Sequence, residues 1–367
     1  MDRREPSPTP VYFVDDVGQN EEISDIESSV PSESTDETMS TLESQEAIEY
    51  FQRLNGRMFP RDENMPIALP TDDGEVKRLT LQHIQLKLFL GGNFVGPVRE
   101  ILAPDTHGRQ KKVLDLITAE GTWVQDMAKD FPHVQFTSVD NMPLVPHVPQ
   151  PNITFEVYDL YNGIAEPGET FDMVHLRHAA MSLKNPKALV RDVYRVLRPG
   201  GFFLFGNWEL SVYEATVPEH PAIKRLPHLS KALEFTRRGL AHQGVDVRMC
   251  QDMPLWMAPD SDLWNVSEDP STGFATPERK FGFRDIVYAP LLVPIGAWPT
   301  EKRLQDVGKI GAHGWAHIWR SMHVPFQVFG LTAEQSQQVV DEAIQDVYSP
   351  DVQVSAKYHI THGFKRG

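Results

Sequence analysis

Three aspartates stand at the ends of three short apolar runs. They are Asp115 in Val113-Leu114-Asp115-Leu116, Asp140 in Phe136-Thr-Ser-Val-Asp140, and Asp159 in Ile153-Thr-Phe155-Glu-Val-Tyr-Asp159. An acid at the carboxyl end of a strand lies where open α/β sheets bind ligands. A carboxylate there can accept from two neighbouring donors; the simpler alternative for Asp115 is an acid that caps the turn after it. That turn, Ile117-Thr118-Ala119-Glu120-Gly121, opens a helix at Thr122-Trp123. A second group, His175, Arg177 and His178, falls at or just past the end of another apolar run, Phe171–His175. A histidine near neutrality can remove a proton from an acceptor. For His175 a buried, hydrogen-bonded ring is the commoner outcome, and His178 is the better candidate for the open side. His83, on an upstream helix, either closes a pocket as part of a lid or packs there. Trp123, at its helix start, reads as core.

The elements that must position these residues alternate between two periods. Strands are expected at Lys112–Leu116, Val134–Val139, Ile153–Val157, Phe171–His175 and Gly201–Trp208, with helices at Thr122–Asp130 and Lys187–Leu197. Strands alternating with helices at this spacing imply a parallel sheet. Upstream, Ala47–Leu54 reads as helix, and so do Glu75–Phe89, ended by Gly91-Gly92, and Pro97–Leu102. Downstream, a helical stretch Pro221–Gln243 is followed by a Trp- and Pro-rich loop, Met253–Glu278. Strand and turn follow at Phe281–Ile295, then helices at Thr300–Met322 and Ala333–Val347, and a last strand at Gln353–Gly363.

The net charge of −16 is uneven. Residues 1–50 carry fourteen Asp or Glu against only Arg3 and Arg4, whereas the rest carries 37 acids against 33 bases. The body is nearly balanced, so no basic face for nucleic acid is expected. Residues 1–44 are too polar to offset their ordering entropy and read as a disordered acidic tail that could meet a protein partner. Within it Val11–Val14 is an apolar patch, read as a chance cluster in preference to a docking motif. No run approaches the ~20 apolar residues of a membrane span. The start MDRREPSPTP has no apolar core and does not read as a secretory signal. Cys250 is the only cysteine, so an intrachain disulfide is impossible and a cysteine-based metal site is not expected. His313 and His317 lack the intervening acid of a zinc helix, so no metal is expected there either. These features favour a reducing, cytoplasmic or nuclear setting.

The turn after Asp115 resembles the first motif of Rossmann-like S-adenosylmethionine-dependent methyltransferases, V-L-D-x-G-x-G-x-G, with Ile117 and Ala119 at the first two glycines and Gly121 at the third. The loop Asn141-Met-Pro-Leu-Val-Pro, the run from Pro149 to Asp159, Phe171-Asp172-Met-Val-His175, and Leu197-Arg-Pro-Gly-Gly201 are similar to the fungal LaeA-like group. So are Asn55-Gly56-Arg57 upstream and Val293-Pro-Ile-Gly296-Ala-Trp298-Pro299 downstream, so the resemblance covers residues 46–365.

The resemblance implies a doubly wound α/β fold: a mostly parallel seven-stranded sheet with an antiparallel last strand. It also implies a helical N-terminal cap over 45–108, a cofactor-binding core over 109–210, a helical substrate-cap insertion over 211–280, and a C-terminal part over 281–367. It implies S-adenosylmethionine as cofactor, with Asp115 and Gly121 near its methionine end, Asp140 on the ribose, Asp159 and the Leu160 backbone on adenine, and His83 as lid. A small-molecule or protein acceptor would lie beside His175 and His178. Phe235, Met249, Met253, Trp256, Met257 and Trp264 are candidates to line its pocket. Ile117 and Ala119 keep open the alternative of a degenerate, regulatory relative. A nicotinamide dehydrogenase is disfavoured because G-x-G-x-x-G is absent.

Overall fold

The computed structural model describes residues 11–14, 39–42, 46, 48–144, 150–265, 281–349 and 353–367. Strands β1 (Val11–Val14) and β2 (Met39–Leu42) are followed by the hairpin β3 (Phe51–Leu54) and β4 (Arg57–Pro60), then helices α1 (Asp73–Leu90) and α2 (Val98–Ile101). The central block is β5 (Lys112–Leu116), α3 (Thr122–Asp130), β6 (Gln135–Asp140), β7 (Ile153–Val157), β8 (Phe171–Arg177), α4 (Pro186–Val196) and β9 (Leu197–Glu214). After it come α5 (Pro227–His242), α6 (Met249–Met257), β10 (Phe283–Ile295), α7 (Lys302–Ser321), α8 (His323–Val328), α9 (Ala333–Val347) and β11 (Val354–Lys365).

The main sheet runs β10-β11-β9-β8-β5-β6-β7-β1-β2. Strands β5 to β9 pair in parallel, and β11 inserts antiparallel between β9 and β10. The expected seven-stranded sheet with an antiparallel last strand is therefore present. Chain order reverses between β5 and β8, since β6 and β7 lie on one side and β8 and β9 on the other. That switch point opens a crevice at the carboxyl edge. Central burial explains why these strands read as nearly continuous apolar runs: β8 is buried at every residue before Arg177. On the two faces, Leu189, Val190 and Val193 of α4 belong to one core cluster, and Trp123, Val124 and Met127 of α3 to another.

Four expectations are corrected. Of the expected helix Ala47–Leu54, the described residues 48–54 are not α-helical: a single 3-10 turn, Ile48–Tyr50, leads into β3. Asn55 and Gly56 both have positive φ, 46° and 82°. This fits the two-residue hairpin turn that Asn-Gly favours, and it overrides local helical patterning. The N-terminal cap is thus a hairpin plus α1. The loop expected from Met253 is helical through Met257, with Pro254 inside α6. The fifth strand of the core, β9, runs on to Glu214, beyond the expected boundary at 210. Finally, Val11–Val14 and Met39–Leu42 are strands: β1 pairs antiparallel with β7, and β2 parallel with β1. The backbone groups that β7 would otherwise leave unpaired at the sheet edge account for that addition. The rest of the acidic segment, and with it the expected protein contact, lies outside the described residues.

Candidate active site

The turn after β5 keeps the glycine path without the glycines. Ile117, Ala119 and Gly121 have φ of 56°, 53° and 73°. L-residues enter this region at about 1–2 kcal/mol each, and a β-branched side chain least readily. Hydrogen bonds hold the turn there. Asp140 Oδ2 accepts from Ala119 N at 2.8 Å and its Oδ1 from Met142 N at 3.1 Å. Thr118 N donates to the Val139 carbonyl, and Ser138 Oγ to Thr118 Oγ1 at 2.7 Å. The side chain of Ile117 packs against the core cluster that includes α4. Burial pushes the Asp140 carboxyl up to about 6, against the pull of the backbone amides it accepts.

Asp115 and His175 are partners across β5 and β8 in register, and His175 Nδ1 lies 2.7 Å from Asp115 Oδ1. Burial, the largest influence, lowers the His175 pKa, so the ring is neutral and Nδ1 is the donor. Trp123 covers the other side of the ring and donates through Nε1 to the Asn93 carbonyl at 2.7 Å. His175 is thus held within the sheet edge, not presented to an acceptor.

His83 reaches the same edge from α1. Its Nε2 lies 3.1 Å from Asp126 Oδ2, and its Nδ1 lies 3.1 Å from Arg177 Nη1. A guanidinium only donates, so Nδ1 accepts and Nε2 carries the proton toward Asp126. Burial, then Arg177, push the His83 pKa down to about 4, which suits this neutral form. His83 therefore ties the cap helix to α3 and orients Arg177. Beyond Arg177 lies Glu120, with Oε1 4.0 Å from Arg177 Nη2 and a carboxyl raised by burial. The sequence reading left Glu120 out because its place between two turn positions carries no signature of its own.

Asp159 caps a 3-10 turn. Its Oδ1 accepts from Tyr161 N at 2.8 Å and from Asn141 Nδ2 at 3.3 Å, and its Oδ2 from Asn162 Nδ2 at 3.1 Å. Burial raises its pKa. Leu160 starts that turn and is buried.

His178 is separate from His175. It follows β8 with a φ of 59°, its backbone N donates to the Gly206 carbonyl, and its Nε2 is buried without a partner. Burial first, then the charge of Arg177, hold its pKa well below the usual histidine range. It faces a chamber of about 120 Å³ together with Asn207, Trp208 and Leu210 of β9, Arg78 and Gln82 of α1, and Trp315 and Trp319 of α7. Gly206 must be glycine here, since a Cβ would stand 2.3 Å from Tyr358 Oη. The aromatics and methionines weighed as pocket lining or, more commonly, core packing do not line this chamber. Met249, Met253, Trp256, Met257 and Trp264 join the core cluster around α4, and Phe235 packs edge-on against Phe326. They form the apolar faces of the downstream helices, whereas the chamber takes its aromatics from β9 and α7. Asn207 and Trp208 were within reach of the sequence, because they close the expected strand Gly201–Trp208; nothing local marked Trp319. A larger groove of about 980 Å³ runs along α4, lined by residues such as Asn162, Arg191 and Trp264, away from the turn after β5. Among the described residues, no group of three or more His, Cys, Asp or Glu could hold a metal ion, and no helix is long and apolar enough to cross a membrane.

Comparison with known proteins finds methyltransferases. A family model described as "Methyltransferase domain" matches residues 93–246. The secondary metabolism regulator laeA of Coprinopsis cinerea is 30% identical over 161 residues, covering 43% of this chain and 40% of that protein. The chain thus spans well under half of that relative's length. The methyltransferase pytC of Aspergillus terreus is 24% identical over 292 residues, covering 78% of each. A solved structure, Haemonchus contortus phosphoethanolamine N-methyltransferase 2 in complex with S-adenosyl-L-methionine, is 15% identical with a TM-score of 0.39, over 84% of this chain and 62% of that one. Strand order, the turn after β5 and the matched segment agree with the Rossmann-like methyltransferase fold. The sequence of this chain is similar to those of fungal secondary metabolism regulators named laeA.

Proposed function

We propose that this chain is a working enzyme, transferring the methyl group of S-adenosylmethionine to a small molecule seated in the chamber beside His178. The observation that carries this reading is the retained backbone of the turn. Three alternate positions stay left-handed although two of them are not glycine, and Asp140 braces the strained amide. The residues present fit the cofactor. Asp140 accepts from the backbone amides of Ala119, Met142 and Asn141 and keeps lone-pair capacity for a ribose hydroxyl. Arg177 has donors left for an α-carboxylate, and Glu120 offers an anion for an α-ammonium. Asp115 acts at one remove, by fixing His175 and through it Trp123. Asp159, already bonded through both oxygens, can still accept from an adenine amino group.

When bound, the cofactor supplies an electrophilic methyl group for in-line displacement, in which alignment carries much of the acceleration. The cap helix contributes by excluding water, because α1 covers the turn through His83, Lys87 and Asp126. His178, neutral and facing the chamber, takes the proton that a hydroxyl acceptor releases. Calorimetric titration with S-adenosylhomocysteine tests the reading. Binding in the micromolar range, weakened at least tenfold by Asp140→Ala, is expected; no heat at about 1 mM would remove it.

A second reading is a non-catalytic relative. Ile117 favours it, because a β-branched side chain at a φ of 56° is what a turn released from cofactor binding would tolerate. It requires that the unmodified chain release no S-adenosylhomocysteine with any acceptor.

A further inference from the structure

The chamber beside His178 has walls of one chemical character. Leu69, Leu79, Met181, Leu233, Trp315 and Ile318 make it mainly apolar. Four buried polar atoms on its lining residues have no hydrogen-bond partner: Asn207 Nδ2, Trp208 Nε1, Trp319 Nε1 and His178 Nε2. Leaving a buried polar atom unpaired costs about 1–3 kcal/mol, so unpaired atoms on residues that line one chamber point to a ligand that pairs with those facing it. Three of the four can only donate. Indole nitrogen has no acceptor form. The amide of Asn207 is fixed by its own carbonyl oxygen, which accepts from Trp208 N at 3.0 Å, so the atom left over is the NH₂.

The charges around the chamber are already matched. Arg78 is bonded to both oxygens of Glu75, at 2.8 and 2.7 Å, and also to Gln82. Glu209 accepts from Tyr213 Oη and bonds to His359 Nε2 at 2.9 Å. A charged ligand would therefore enter without a free counter-ion and lose its hydration. The volume, about 120 Å³, is below the roughly 150 Å³ of an apolar cavity that takes benzene, so a single six-membered ring is the most it admits.

We propose, resting on the methyl-transfer reading, that the acceptor is an uncharged, single-ring hydroxy compound with a second oxygen that accepts hydrogen bonds. The second oxygen takes the N–H groups of Trp208 and Trp319, which belong to one core cluster, and the hydroxyl meets His178. The hydroxyl oxygen forms the new bond to the methyl carbon as the carbon–sulfur bond breaks, its electron pair leaving with sulfur. The hydroxyl proton passes to His178 Nε2 and then to solvent. The products are a methyl ether, S-adenosylhomocysteine and one proton.

The test uses the full chain with 15N-labelled tryptophan, followed by the indole N–H resonances in saturating S-adenosylhomocysteine. Trp208→Phe and Trp319→Phe assign the two signals. The probes are 4-hydroxyacetophenone as the neutral oxygen-bearing ring, 4-hydroxybenzoate as its anionic analogue, tyramine as the cationic one, and ethylbenzene as the ring without oxygen. Both indole signals should move downfield with 4-hydroxyacetophenone below about 1 mM. The charged probes and ethylbenzene should bind at least tenfold more weakly, and each Trp→Phe change should weaken the neutral probe roughly three- to tenfold. If a variant does not fold by circular dichroism, the probe series on the unmodified chain decides alone. Charged probes binding as well as the neutral one, or no movement of either indole with 4-hydroxyacetophenone, overturns the acceptor class. S-adenosylhomocysteine affinity is read in the same samples. If it binds while the indoles stay still, only the acceptor class fails; if it does not bind, the methyl-transfer reading fails with it.

Discussion

The indole of Trp123 lies flat on the imidazole of His175, with ring centroids 3.5 Å apart and planes 14° from parallel. This stack joins the helix after the cofactor turn to the strand beside it. Asp115 completes it from below through His175 Nδ1. Removing the carboxylate leaves a buried N–H donor with nothing to bond. Asp115→Ala should lose about 2 kcal/mol of stability, read as the shift in urea midpoint. Near-ultraviolet dichroism should also change, because Trp123 loses its fixed neighbour. A shift below about 0.5 kcal/mol would mean that the trio does not brace the sheet edge.

Ala119 holds a backbone conformation in which its own Cβ is unwelcome, at a φ of 53°. Glycine removes about 1–2 kcal/mol of that strain, while the looser unfolded chain gives back about 0.4–1 kcal/mol. Ala119→Gly should therefore stabilise by about 0.5 kcal/mol. Ala128→Gly, inside α3, is the control and should cost about 1 kcal/mol or more. Equal losses at the two sites would show that the turn carries no strain.

Much of the fold was legible because the strands of the parallel block are apolar runs cut by turns, and their order follows from the methyltransferase resemblance. The hairpin at Asn55-Gly56 was missed because a two-residue turn outweighs the helical pattern around it. The site was legible only where chain and space agree. Asp115, Asp140 and His178 end strands or follow them directly, so their neighbourhood could be read. Trp319 reaches the chamber from a helix more than a hundred residues downstream, and Glu120 gains its meaning from Arg177, a partner three strands later in the chain. The sequence does divide His175 from His178, favouring a buried ring for the first and the open side for the second. Only two residues separate them, yet one ring is stacked inside the sheet edge and the other borders the chamber.

Glu156 on β7 is buried close to Glu166. Burial first, then the Glu166 charge and hydrogen bond, push its carboxyl up to about 8. The folded chain thus binds this proton more tightly than the unfolded chain, where the ordinary value is 4.5. The stability it contributes is full below pH 4.5, falls as pH rises, and is lost through about pH 8. Glu156→Gln keeps a neutral, hydrogen-bonding side chain at every pH. The melting temperature of the variant minus that of the parent should rise between pH 5 and pH 8 and then level off. A difference that does not vary with pH would mean that Glu156 is ionised throughout.

His178 sets the remaining expectation, because its environment fixes the direction of a pH profile. An ordinary histidine base protonates near 6.5 and loses its activity below that value. Here burial, reinforced by Arg177, Arg78 and two neighbouring histidines, opposes protonation. The ring therefore stays neutral as the solution is acidified, and the rate should stay flat well below pH 6.5. His178→Ala removes the proton acceptor from the chamber without touching Arg177 or the turn after β5. With 4-hydroxyacetophenone as acceptor, kcat for S-adenosylhomocysteine release should fall by about 10²–10⁴, with KM changed far less. His178→Gln should not restore the rate, since an amide pairs with the hydroxyl but does not take its proton. A kcat within about twofold of the parent, or a parent profile that falls off near pH 6.5, would remove His178 as the base.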